Sequence, residues 1–196
     1  MRVSRQTVAA HRAAMVAAAS RLFRARGIDR VAVAEVTQAA GLTHGGFYGH
    51  FASKDELAAE ACRAAFEEAL GRFAGVDLDG FLRAYLSRAH RDDAGGGCPM
   101  VAFVGEMTRG GEASRAAWVD GTAAWIDAMA AALPEGDEEA RRRRASGLAA
   151  MLVGGLALSR GLATVAPDLA DRLLLDLRGQ AAMLVGGLAA AATTEG

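Results

Sequence analysis

The stretch from Val33 to Leu57 reads VAEVTQAAGLTHGGFYGHFASKDEL. Its spacing predicts two short helices, Ala34–Ala40 and Thr43–His50, joined by a tight turn at Gly41. A further helix is expected to open at Ser53, where Ser-Lys-Asp-Glu has the form of a capping box. The segment between Thr43 and His50 is a poor helix, because Gly45, Gly46 and Gly49 each cost up to about 1 kcal/mol relative to alanine. Sequences break a local rule where function demands it. The demand expected here is close approach of bare backbone to a phosphate or a base edge.

Working outward, the 196-residue chain is 52% apolar and 23% charged, which excludes a disordered chain. It has three prolines and no alternating runs of β-branched residues, so an all-α fold is expected. Charge is unevenly placed. Residues 1–54 carry eight Lys/Arg against two acids, leaving +6, and residues 55–196 carry fourteen against twenty-one, leaving −7. A basic head on an acidic body fits one end that faces a polyanion. Cys62 and Cys98 have neither metal-ligand spacing nor a disulfide framework. The N-terminus has no secretory pattern. The longest charge-free apolar stretches, 145–159 and 179–194, fall short of the ~20 residues that span a bilayer, so a cytoplasmic protein is expected.

Before the quoted stretch, residues 1–11 read as a loose basic arm. A helix over about Thr7–Arg26 follows and stops at Gly27. After it, the Ser53 helix is expected to run to about Phe73. Further helices are expected over Leu78–Arg91, from Pro99, over Glu112–Leu133, over Asp137–Val165 and over Asp168–Ala192, with a flexible glycine tract before Cys98. The nonapeptide AAMLVGGLA occurs at 149–157 and again at 181–189 without any other recurrence at that period. Both copies give smooth apolar faces, which fit either a four-helix dimer interface or the chain's own core; the dimer is favoured because monomers seldom leave such patches exposed.

The N-terminal fifty-odd positions resemble the TetR family of bacterial transcriptional regulators. The resemblance is carried by Phe23…Gly27, Val36…Ala39-Ala40-Gly41-Leu42, Thr43-His44-Gly45-Gly46-Phe47-Tyr48, His50-Phe51 and Ser53-Lys54-Asp55-Glu56-Leu57. It implies a helix-turn-helix DNA-binding domain over residues 1–54, with the 53–73 helix connecting it to an effector-binding and dimerisation domain over 55–196. It further implies a homodimeric repressor, paired through the last two helices, that a small molecule releases from double-stranded operator DNA. By position, the resemblance assigns DNA contact to Thr43, His44, Gly45, Gly46, Tyr48, His50 and Lys54. Phe47 and Phe51 are expected to be core.

In the second domain, aromatic and Met side chains suit a hydrophobic or aromatic effector, and Tyr85, Phe103, Met107, Trp118, Trp125 and Met151 are the candidate contacts. Cys98 precedes a helix opening at Pro99, where free amides favour a thiolate, so an oxidant- or electrophile-sensing repressor is the alternative. An enzyme pairing Cys98 with His90 lacks an orienting third group, and neither a cofactor nor a metal is expected. A membrane-surface helical protein, using the apolar pair and Arg141–Arg144, is opposed by Arg160, Asp168, Asp171 and Asp176.

Overall fold

The structure, a computed structural model, describes residues 4–42, 44–72, 77–134 and 136–186, with backbone alone at His44, Gly45 and Gly186. Among these residues the secondary structure is all helical. The order is α1 (Arg5–Arg26), α2 (Val33–Ala39), a 3-10 helix (His44–Gly49), α3 (Lys54–Gly71), α4 (Leu78–Tyr85), α5 (Arg88–Asp92), α6 (Pro99–Met107), α7 (Glu112–Ala132), α8 (Glu138–Leu162) and α9 (Pro167–Gly186). The chain divides into two compact units, one of residues 1–68 and 94–122, the other of residues 69–93 and 123–196. Residues 94–122 thus cluster with the N-terminal segment.

In the first unit, α1 begins earlier than its apolar periodicity suggests, because the Ser4 Oγ accepts the Thr7 N–H at 3.1 Å. Much of the expected loose arm is therefore helix. Gly27 closes α1 at φ 86°, and its N–H donates to the Phe23 carbonyl at 2.8 Å. Met15, Ala19 and Phe23 of α1 are buried with Val36, Phe47, Phe51 and Leu57. Helix α6 packs on α1. The Arg24 side chain, only 1% exposed, donates to the Ser20 and Gly97 carbonyls and pairs with Glu68 at 2.6 Å. The glycine tract before Cys98 is therefore pinned by a buried guanidinium that needs carbonyl acceptors, and the expectation of a flexible tract is corrected.

Two further carboxylates fasten this unit. Glu106 of α6 accepts the Ile28 N–H at 3.1 Å, beside Gly27, where a Cβ would lie 2.7 Å from the Glu106 Oε1. Asp55, in the first turn of α3, accepts the Ala113 N–H at 3.2 Å and so caps α7 from another helix. A Cβ at Gly111 would collide with the Asp55 carboxylate.

In the second unit the expected Leu78–Arg91 helix is two. It breaks at Leu86–Ser87, where Ser87 accepts the His90 N–H at 3.1 Å and starts α5. The break is held by the C-terminal helices. Arg178 of α9 donates to the Leu86 carbonyl at 2.7 Å, and Arg160 of α8 donates to the carbonyls of Arg91 at 2.9 Å and His90 at 3.1 Å. Asp171 receives Arg91 at 2.8 Å and Arg88 at 2.5 Å. Leu148, Leu152 and Leu156 of α8 are buried, and α8 packs along α9 with Gly155 against Leu177. By length and composition α8 can cross a membrane, which the apolar-stretch argument missed because the 25-residue helix extends beyond its apolar centre. Its arginines are used otherwise: Arg142 pairs with Asp127 at 2.9 Å and Arg143 with Glu139 at 2.6 Å.

Removing Arg24 takes the side-chain donor from the Ser20 and Gly97 carbonyls, so Arg24→Ala is expected to cost about 2 kcal/mol in urea unfolding. Gly147→Ala, where a Cβ meets nothing within 4 Å on an α8 interior position, is expected to leave stability unchanged or raise it by up to about 1 kcal/mol.

Candidate functional site

The turn between α2 and the 3-10 helix is fixed by Gly41 at φ 72°, with the Leu42 N–H on the Thr37 carbonyl at 2.8 Å. The segment after it is a 3-10 helix where an α-helix was expected. The two bonds closing its end, from the His50 and Phe51 N–H groups, share the Phe47 carbonyl at 2.9 and 3.0 Å. The glycine density accounts for this, since three glycines in six residues make an α-helix costly there. Phe47 and Phe51 are buried and stacked with centroids 5.5 Å apart, which anchors the segment. Tyr48, between them, is 79% exposed, its ring edge-on to Phe47 at 5.1 Å.

Gly46 and Gly49 have no explanation inside the chain. Neither has a positive φ, and a Cβ at either would meet nothing within 4 Å. The exposed Tyr48 thus stands between two bare backbone positions on an open surface. Thr43, the expected cap of this segment, lies outside the described residues, and of His44 and Gly45 only the backbone is described. Lys54 is half-buried at the start of α3. The start of α3 is capped by the Ser53 Oγ, which accepts the Glu56 N–H at 3.1 Å. The Glu56 carboxylate reaches back one residue further than a capping box, to the Ala52 N–H at 2.7 Å.

Arg12 holds this face together. It donates to the His50 carbonyl and to Glu60, pairs with Glu56 at 2.9 Å, and lies 4.1 Å above the Phe51 ring. Arg12, Arg24 and Arg26, the last on Glu35 at 2.5 Å, are therefore occupied internally, so the charge count overstates what the head offers to a polyanion. The Ala52 N–H, then Arg12, hold the Glu56 carboxyl below its usual range; Arg26, then the Ala32 N–H, do the same for Glu35. His50 is half-buried against His11, and its Nδ1 is covered.

The candidate effector residues separate. Phe103, Met107 and Trp118 belong to the first unit, and Tyr85, Trp125 and Met151 to the second. Tyr85 and Trp125 meet with centroids 6.2 Å apart, bridged by Phe81. Tyr85 also lines a cavity of about 570 Å³ with Phe81, Arg72, Ser87, His90 and Asp93. The sequence reading considered His90 only as a catalytic partner; its place in a wall depended on the α4–α5 break. Met151 is half-buried on the α8 stripe Gly147–Met151–Gly154–Leu158, whose glycines face open space. Cys98 is 3% exposed behind the pinned glycines, so the access expected for an oxidant is corrected. Burial pushes the Cys62 thiol up to about 12.

Residues 15–61 match the sequence model of the bacterial regulatory proteins of the TetR family. No curated protein matches the chain. Among solved structures, a TetR-family regulator from Cytophaga hutchinsonii superposes with a TM-score of 0.72 at 19% identity, covering 95% of this chain and 98% of its own. A transcriptional regulator from Rhodococcus sp. Rha1 superposes at 0.67 with 25% identity, covering 90% of this chain and 96% of that one. The reduced form of E. coli NemR superposes at 0.70 with 18% identity, covering 87% and 94%.

Arg12→Ala is expected to lower Tm by about 2–4 °C, equivalent to about 1 kcal/mol. Because Glu56 and Glu35 have depressed folded values, their stabilisation is complete above the unfolded value of about 4.3 and is lost as pH falls through the folded one. Melting curves are expected to fall below about pH 4.5, less steeply in Arg12→Ala.

Proposed function

We propose that the chain is a TetR-family regulator and acts as a cytoplasmic homodimeric repressor that a small hydrophobic or aromatic effector releases from operator DNA, a reading supported by the match of its N-terminal segment and by its fold. The observation that carries the DNA reading is the open backbone at Gly46 and Gly49 flanking an exposed Tyr48. Packing demands no glycine at either position, whereas a duplex pressed against the main chain does. Tyr48 donates its hydroxyl to a phosphate and Lys54 adds charge at the α3 N-terminus. Thr43 contacts a phosphate, His44 and Gly45 meet base edges, and His50 contributes through the backbone held by Arg12.

Two copies pair through α8 and α9. Support comes from the outward side chains Leu158, 61% exposed, Leu175, 62%, and Met183, 58%. The Gly-Gly of the first nonapeptide has split roles: Gly155 packs on Leu177 within the chain, and Gly154 opens outward for a partner. The two heads then enter successive major grooves about 34–36 Å apart. An effector moves the balance only by differential affinity for the DNA-competent and incompetent dimers.

The test is footprinting and fluorescence anisotropy on the DNA flanking its own gene. Gly46→Ala and Gly49→Ala are expected to leave Tm unchanged while weakening binding at least about tenfold; wild-type affinity in both overturns the reading. Tyr48→Phe and Lys54→Ala weaken binding evenly across operator sequences, the latter reducing the salt slope by about one. Gly154→Leu yields monomers in sedimentation.

A further inference from the structure

We infer that the cavity beside α4 and α5 takes a neutral aromatic ligand carrying one hydrogen-bond donor, a phenol in chemical class, with His90 Nε2 as its acceptor. This deepens the effector reading above and rests on it. The cavity of about 570 Å³ has the size of a small-molecule site and suits a bicyclic ring. Its aromatic wall is Phe81 and Tyr85, backed by Trp125.

Among the polar groups of the wall, Ser87 is bonded within the chain and His90 Nε2 is not. Ser87 donates to the Ala84 carbonyl at 2.7 Å and accepts the His90 N–H at 3.1 Å. Arg72 and Asp93 line the cavity with opposite charge, which favours no net charge on a ligand. His90 lies edge-on to Tyr85 with centroids 4.7 Å apart, and its Nδ1 is 2.8 Å from the Tyr85 carbonyl. A carbonyl only accepts, so Nδ1 carries the proton and the neutral ring presents a bare lone pair at Nε2. Burial, then Arg160 and Arg72, keep the imidazole below its usual range, against the Tyr85 carbonyl and Asp93. Nε2 is buried without a hydrogen-bond partner, which is costly for an acceptor unless something supplies a donor.

The nitrogen is covered by the protein's own atoms, so a ligand hydroxyl reaches it as the α4–α5 hairpin gives way. That hairpin hangs by its carbonyls on Arg160 and Arg178, from α8 and α9. Occupation of the cavity is thereby felt at the helices proposed to pair two copies.

Calorimetry on the full chain with 2-naphthol, 2-methoxynaphthalene and 2-naphthoate tests this. The naphthol is expected to bind, the methyl ether about 3–10-fold more weakly, since it lacks the donor, and the naphthoate more weakly than the naphthol. His90→Phe removes the difference between naphthol and ether, and His90→Gln, which keeps an acceptor, retains part of it. Naphthol affinity is constant between about pH 6.5 and 8 and falls on acidification as His90 takes a proton, while ether affinity does not. Equal naphthol and ether affinities in the wild type, tighter naphthoate, or no binding of any probe overturns the proposal without reference to a variant. Operator anisotropy run in parallel separates the two readings. Naphthol bound through His90 with operator affinity unchanged upholds the ligand chemistry and defeats the effector reading. Release by another compound, with naphthol unbound, does the reverse.

Discussion

Arg12 sets the geometry on which the N-terminal surface depends. One guanidinium joins α1 to the end of the 3-10 helix through the His50 carbonyl, to α3 through Glu56 and Glu60, and to the core through the Phe51 ring. A glycine-rich segment cannot hold its own shape. Its position is imposed from both sides, by Phe47 and Phe51 beneath and by Arg12 at its end. The surface can therefore be bare and still be well placed, which is what recognition through main chain requires.

The second unit solves a similar problem in the opposite direction. The α4–α5 hairpin contributes rings and a histidine to a cavity wall, and its backbone carbonyls at Leu86, His90 and Arg91 are satisfied by arginines from α8 and α9. Asp171 neutralises two of the hairpin's own arginines. The wall is thus tied by charge-assisted bonds instead of by a continuous helix.

What could be read from the sequence was whatever is encoded locally. Gly27 and Gly41 announced their turns, Ser53 its cap, and the i, i+4 pair Phe47 and Phe51 their burial. What escaped depends on partners far along the chain. Arg24 turns a glycine tract into a packed strap, and Ser87 with Arg178 splits one expected helix into two. His90 stood in the sequence only as a partner for Cys98, and its place beside Tyr85 depended on the break. Met151 is half-buried on α8 and is not among the residues that line the Tyr85 cavity.

The carboxylate of Asp55 has a consequence for how the chain acquires its structure. The first turn of α7 obtains its cap from a residue 58 positions earlier, already committed to α3. Nucleation of α7 at its natural start is then contingent on a long loop having closed, so these helices gain order together and fray together. Partial unfolding that detaches α3 would release α7 from its beginning, making the N-terminal unit cooperative across stretches of sequence that are not neighbours.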